Sequence, residues 1–363
     1  MERYRGRNKG FAARLAVSFS RLLSAPNDMD IFKLTRALVD IESITGNEEA
    51  AGLFLNHHLA ELASQTGGDV ETMPVEPNRF NVFAWWGTPI VTLSTHYDTV
   101  PPFYPSREDD QFIWGRGACD TKGIIASMIT AARGLLDEGI RNFGLLFVVG
   151  EERNSAGAYV AAKQPRGSRY LINGEPTENK LALGSKGALR YEIVASGKMA
   201  HSAYPELGAS AINKLLDALQ RIRAVELPVD PLLGPSTLNI GTISGGRAPN
   251  VIPDQARAEV LIRLVDEGTE TDLRIRKAAG PDVEVSQVLR IPAVRLGALE
   301  GFETTVVAYT TDIPAFGGSW GQPFLVGPGT IHVAHTDEER VAKSELLEAV
   351  AIYRGMVKQL LSM

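Results

Sequence analysis

Seven histidines and carboxylates stand where apolar, strand-like runs end or glycine-rich turns begin. His96 and Asp98 close PIVTLSTHYD, Asp120 sits in GRGACDTKG ahead of a helix, and Glu151 and Glu152 follow LLFVVG. Glu175 follows RYLING, and His335 lies in GPGTIHVAHTDEE. In open α/β sheets, ligands collect outside the carboxyl ends of the strands, so these side chains are expected to converge on one edge. Adjacent carboxylates resist joint ionisation, and a basin holding this many acids calls for a bound cation. Histidine with carboxylate and no thiolate suits zinc or another divalent transition ion in a hydrolytic site. Two histidines and at least three carboxylates exceed one tetrahedral site. They fit two metals sharing a bridging carboxylate, about 3.5–4 Å apart. Spacing alone thus indicates a dinuclear metallohydrolase.

The elements that must position these residues follow from periodicity. Ile31, Leu34 and Leu38 recur at helical spacing, and a second helix opening at Gly46-Asn47-Glu48 carries Leu53, Phe54, Leu59 and Leu62. Strands are expected at 79–86, 89–98, 145–149 and 169–173, with helices over 122–137 and 156–163. Alternating strands and helices give an α/β sheet covered on both faces. From about Gly187 the pattern changes to a compact β-α-β-β-α-β unit that resembles a ferredoxin-like sandwich. The α/β character then returns with PFLVGPG and a helix over 338–361. The expected division is therefore a catalytic, metal-binding domain from 29–187 and 296–363, interrupted by a smaller insert at 188–295.

The motifs HYD, GRGACDTKG, GEE, GEPT, GKMAHSAYPELGASAI, NVIP and GPG…AHTDEE, in this order, resemble one family. It is the zinc aminoacylase and carboxypeptidase family of acetylornithine deacetylase, succinyl-diaminopimelate desuccinylase and carboxypeptidase G. The resemblance runs from about Met29 to the C-terminus. It implies that His96, Asp120 and Glu175 hold one zinc and Asp120, Glu152 and His335 the second, with Asp120 bridging; Co2+ or Mn2+ are possible substitutes. Asp98 would orient the His96 ring. Glu151 would take the proton of the metal-bridging water and pass it to the leaving amine. His201 would hold the scissile carbonyl oxygen from the partner subunit, while Asn250 and Arg263 match positions that contact the substrate's carboxylate end. The insert would be the dimerisation or lid domain. At the last ligand the usual Pro-Asp after the histidine is replaced by Asp337 and Glu338, so His332 competes with His335, and Glu339 keeps the family's glutamate four residues on.

The implied activity is removal of an N-acyl group, N-acetyl foremost, from an amino acid such as N-acetylornithine, within arginine biosynthesis. Desuccinylation of succinyl-diaminopimelate, release of lysine or ornithine from a carrier protein, and dipeptidase or aminopeptidase action are sister readings. A metal-free dimeric binding protein is the rival from another class, and the complete ligand set argues against it. A net charge of −6 and a pI near 5.7 give no reason to expect nucleic acid or an anionic membrane as partner. The single cysteine, Cys119, rules out an intrachain disulfide and points to a reducing cytoplasm; it reads as a packed residue and not a nucleophile. Residues 1–28 carry an arginine-rich, acid-poor run that reads as a disordered extension or an early start codon, with an organelle address as the alternative. His57 and His58 read as surface residues of an amphipathic helix.

Overall fold

The computed structural model describes residues 29–363, so the extension expected over 1–28 lies outside the described residues. The chain begins with α1 (Ile31–Val39), α2 (Glu49–Thr66), β1 (Asp69–Glu76), β2 (Arg79–Trp86), β3 (Val91–His96) and β4 (Phe112–Trp114). It continues through α3 (Gly123–Asp137), β5 (Phe143–Val148), α4 (Ala156–Ala162) and β6 (Tyr170–Asn173). Next come β7 (Gly187–Ser196), α5 (Ala211–Arg223), β8 (Thr237–Gly245), β9 (Gln255–Leu264), α6 (Thr269–Ala279) and β10 (Val283–Ile291). The last main elements are β11 (Gln322–Leu325), β12 (Arg340–Ala342) and α7 (Lys343–Leu361).

Contacts divide the chain into two units. The first takes the described residues up to Leu183 together with Leu296–Thr305 and Ala315–Met363, and the second takes Gly184–Arg295 with Val306–Pro314. Relative to the expected insert at 188–295, the second unit gains 184–187 and 306–314. The reason is local pairing: Lys186 N donates to Val307 O, and Ser185 Oγ donates to Tyr309 O at 2.5 Å.

In the first unit a mixed sheet runs in the order β1-β2-β5-β3-β6-β11. β3, β5, β6 and β11 are mutually parallel, while β1 and β2 add an antiparallel edge. Alternating side chains feed two cores, as strand geometry requires. Val82, Ala84, Leu145 and Phe147 pack on one face with Leu59, Ile125, Ile129, Leu135 and Met356; Phe83, Leu146 and Val148 pack on the other with Ala158, Phe316 and Trp320. Because β3, β5 and β6 run the same way, their carboxyl ends share one edge. In the second unit β8-β9-β7-β10 form an antiparallel sheet, with α5 and α6 contributing to its core. Numbered within the β-α-β-β-α-β unit this is the strand order 2-3-1-4 of a split βαβ sandwich.

Several elements differ from expectation. The C-terminal helix starts at Lys343 and not 338, because Arg340–Ala342 pair with β4 as a strand, and its Leu347 faces solvent. The first helix of the insert, α5, begins at Ala211, capped by Ser210, whose side chain accepts from Asn213 N. His58 is a correction: it is buried, one turn after Phe54, and its ring stacks on that residue at 6.1 Å. Burial first, then the charges of Arg133 and His57, depress its pKa from 6.5 to about 4.

A buried base with a depressed pKa is charged preferentially in the unfolded chain, so stability falls as pH drops from about 6.5 toward 4. The full effect is about 3 kcal/mol. His58→Gln, which keeps an acceptor for Arg133, is expected to flatten the fall in melting temperature between pH 7 and pH 5. Parallel pH curves for the two proteins would remove this role.

Candidate metal centre

Three parallel strands deliver four of the residues. His96 ends β3 and is level with Val148 of β5, so Glu151 and Glu152, just past Val149 and Gly150, emerge beside it. Gly150 has φ +80, and an added Cβ would lie 3.0 Å from Arg79 Nη2; the sharp exit from β5 needs glycine here. Glu175 follows β6, and its turn is tied to β3 by Gly174 N donating to Ser94 O at 2.8 Å and Thr95 Oγ1 donating to Gly174 O at 2.8 Å. Asp120 occupies an irregular turn, Ala118–Lys122, before α3. Lys122, not Asp120, is the residue at the N-cap of α3, so Asp120 does no capping.

The side chains meet. His96 Nε2 lies 2.9 Å from Asp120 Oδ1, and His335 Nε2 lies 3.3 Å from Asp120 Oδ2. His335 Nε2 is also 3.0 and 3.2 Å from the two Glu152 oxygens. Glu151 Oε2 and Glu175 Oε1 each come within 4.0 Å of His96 Nε2. One donor atom each of His96, Asp120 and Glu152 falls within a 4.8 Å span, a spread that ligands near 2 Å from a common ion can bridge. His332 is exposed, its backbone N donating to Thr330 Oγ1 at 3.4 Å. His335 has φ +63, a left-handed conformation that non-glycine residues seldom adopt and that is enriched at functional sites.

Asp98 meets both the His96 ring and the turn that carries the paired glutamates. His96 Nδ1 is 3.0 Å from the Asp98 carbonyl oxygen and 3.5 Å from its carboxylate, which leaves Nε2 facing the centre. The buried carboxylate accepts from Glu151 N at 3.1 Å, Glu152 N at 3.3 Å and Thr45 Oγ1 at 2.7 Å. Asp98 thereby fixes the backbone of the paired glutamates.

The electrostatics show what the basin demands. Hydrogen bonds to Asp120 and then Glu152 push His335 up to about 10. Burial works against a charge on His96, yet its bonds to Asp120 and Asp98 prevail and raise it well above its ordinary value. Burial, then the Asp120 charge, raises Glu152. Burial opposes ionisation of Asp120, but the two histidines outweigh it and hold the carboxyl well below its usual range. Positive charge on both sides of Asp120 is what lets the acids coexist. Two divalent cations would supply it, and the nitrogen and carboxylate donors fit such ions.

The second unit carries the other three residues. His201 and Asn250 share a short ribbon: Ala200 pairs with Ile252, His201 with Val251, and Ser202 N donates to Asn250 O at 3.0 Å. His201 is exposed, and its Nδ1 accepts from Ala203 N at 3.1 Å, leaving Nε2 to carry the proton. Arg263 lies far along β9, between Ala188 and Thr237, and burial lowers its pKa. The eight steps from Gln255, near the ribbon, to Arg263 span about 26 Å of extended chain. One chain does not bring Asn250 and Arg263 together.

The sequence marked Glu339 as the family's glutamate four residues after His335 but gave it no role; in the structure it is buried and accepts from three amides of the Asp120 turn. Cys119 is fully buried beside it, its thiol pushed up by burial and then by Asp120.

A family model described as Peptidase family M20/M25/M40 matches residues 92–359. The chain belongs to peptidase family M20/M25/M40. A peptidase M20 domain-containing protein of Schizosaccharomyces pombe is 40% identical over 357 residues, covering 94% of this chain and 87% of that one. A protein of Aspergillus niger named "Probable carboxypeptidase" is 38% identical over 369 residues, covering 89% of this chain and 88% of its own. The fold is shared with a Bacillus subtilis protein described as a dinuclear metal binding peptidase from the M20 family. That match has a TM-score of 0.64 at 16% identity, covering 90% of this chain and 97% of the other. As an M20 member the chain is a metal-dependent hydrolase of amide or peptide bonds. No helix of the described residues is long and apolar enough to cross a membrane.

Proposed function

We propose that this M20 protein is a dinuclear metallohydrolase that releases an amino acid with a free α-carboxylate from an N-acyl or peptidyl group. Asp120 carries the reading, because its two oxygens face one histidine each, as a bridging ligand requires. His96, Asp120 and Glu175 would hold one ion and Asp120, Glu152 and His335 the other, zinc being the expected metal. When bound, such a pair polarises the scissile carbonyl and makes water acidic near neutral pH.

The chain's own residues then move the protons. Glu151 takes the proton of the attacking water and returns it to the amine nitrogen as the C–N bond breaks. Asp98, holding the Glu151 amide, keeps that carboxylate aimed. His201 Nε2–H donates toward the carbonyl oxygen as negative charge develops. Asn250 and Arg263 take the substrate carboxylate. Because one chain separates those two, the reading requires a homodimer in which each second unit completes its partner's centre. Supporting this, β8 is an open sheet edge, and a groove of about 650 Å³ beside it is lined by Leu216, Leu219, Ile240 and Ile243. A monomeric mass by light scattering at assay concentration would overturn the dimer.

Deacetylation and carboxypeptidase action cut the same bond: an amide whose nitrogen belongs to a residue with a free carboxylate. They differ only in the acyl side. The sequence motifs point to N-acetylornithine as substrate, whereas the name of the Aspergillus niger relative points to peptides. A panel of N-acetylornithine, succinyl-diaminopimelate, N-acetyl-lysine, N-blocked dipeptides, free dipeptides and aminoacyl nitroanilides separates them. Metal-dependent turnover is expected only where the carboxylate is free. Preference for the nitroanilides, which lack it, would replace this reading with an aminopeptidase.

A further inference from the structure

We infer that Glu339 is a positioning residue for the bridging carboxylate, clamping the Asp120 turn to the loop that carries His335. The inference rests on the dinuclear reading above.

The two segments enter the centre from one short ribbon. Trp114 of β4 pairs with Arg340 of β12, and Ile113 pairs with Val341. Beyond that ladder the chain runs forward from Trp114 to Asp120 and backward from Arg340 to His335. Glu339 closes the gap. Its carbonyl accepts from Gly115 N at 3.1 Å. Its Oε1 accepts from Gly117 N at 2.9 Å, Asp120 N at 3.1 Å and Cys119 N at 3.2 Å. Its Oε2 accepts from Arg116 Nη1 at 2.5 Å, and Arg116 Nε in turn donates to Pro102 O at 3.2 Å.

The side chain is 1% exposed, so these are bonds made out of reach of bulk water. Buried ion pairs seldom add net stability. What this one provides is geometry: one oxygen gathers three amides of a turn whose Asp120 and Thr121 have non-helical φ/ψ. Those amides have no helical acceptor, and buried N–H groups left unpaired are costly. The turn therefore holds its shape, and Asp120 its orientation, only while Glu339 is in place. The second ion should suffer most from its loss, since both Asp120 and His335 depend on the clamp. The first keeps His96 and Glu175 on the sheet.

Cobalt(II) titration of the metal-free full chain, followed by the visible absorption of the bound ion, tests this. Wild type is expected to bind two equivalents. Glu339→Ala should weaken both equivalents through Asp120, the first slightly and the second, which also loses a well-placed His335, by 10- to 100-fold, with an altered spectrum. Glu339→Asp keeps the charge near Arg116 but falls one methylene short of the amides, so it should weaken the second equivalent in the same direction. It decides the matter if the alanine variant does not fold. Two equivalents of wild-type affinity and spectrum in either folded variant would overturn the clamp. Fewer than two equivalents in wild type would instead overturn the dinuclear reading.

Discussion

Glu151→Gln is expected to keep both metals and lose about 10²- to 10⁴-fold in kcat, the usual worth of a positioned general base. Glu152→Ala, one residue on, is expected to fail differently: metal content falls toward one ion per chain, and excess zinc restores part of the activity. The two side chains leave the same turn but meet different partners. Glu152 touches His335 at 3.0 and 3.2 Å and shares it with Asp120. Glu151 Oε2 lies 4.0 Å from His96 Nε2. Asp98 holds both backbone amides, so neither substitution should move the other residue. Glutamine in place of Glu151 keeps the volume and removes the basic oxygen, so turnover alone should register the change. Metal analysis by mass spectrometry beside steady-state kinetics checks both variants. If Glu151→Gln lost the metal and Glu152→Ala lost only turnover, the two roles would have to be exchanged.

The strand-end residues were legible because buried strands announce themselves. PIVTLST, LLFVV and RYLIN are apolar runs bounded by turn signals, and the acids and His96 sit just beyond them. Convergence on one edge followed from parallel topology alone. The partnership of Asp120 with His335 was not visible that way, since the two are joined through the β4–β12 ribbon, and only the family resemblance suggested it. That ribbon was missed because Arg340–Ala342 is a three-residue strand with no period to read. The acids just before it, Glu338 and Glu339, read as the first turn of the helix expected from 338. β1 escaped for another reason: DVETMPVE contains a proline and several acids, as a half-exposed edge strand tolerates. His58 was misjudged because helix α2 places it one turn from Phe54, on the buried side, and a polar residue there gives no sign of which face it joins. Short-range pattern identifies which elements form; the bonds that cross between distant loops, such as those of Glu339, come only from the fold.

Asp120→Asn is expected to leave no more than one tightly bound metal and to abolish activity more completely than any single change outside the bridge. The carboxylate offers equivalent oxygens in two directions, Oδ1 toward His96 and Oδ2 toward His335. An amide of the same shape offers one oxygen and one NH2 group. The NH2 group cannot ligate a cation, so whichever histidine it faces loses a shared ion. The backbone is held by Glu339 whatever the side chain, so the asparagine variant should still fold, and the defect should be local. Thermal melts give a readout independent of catalysis. An ion present at 100 times its dissociation constant stabilises the folded chain by about 2.7 kcal/mol. Wild type, with two such ions, should gain roughly twice the metal-induced rise in Tm that the variant gains. Equal rises in the two proteins would mean that Asp120 does not bridge and that each metal is held by its own separate set of ligands.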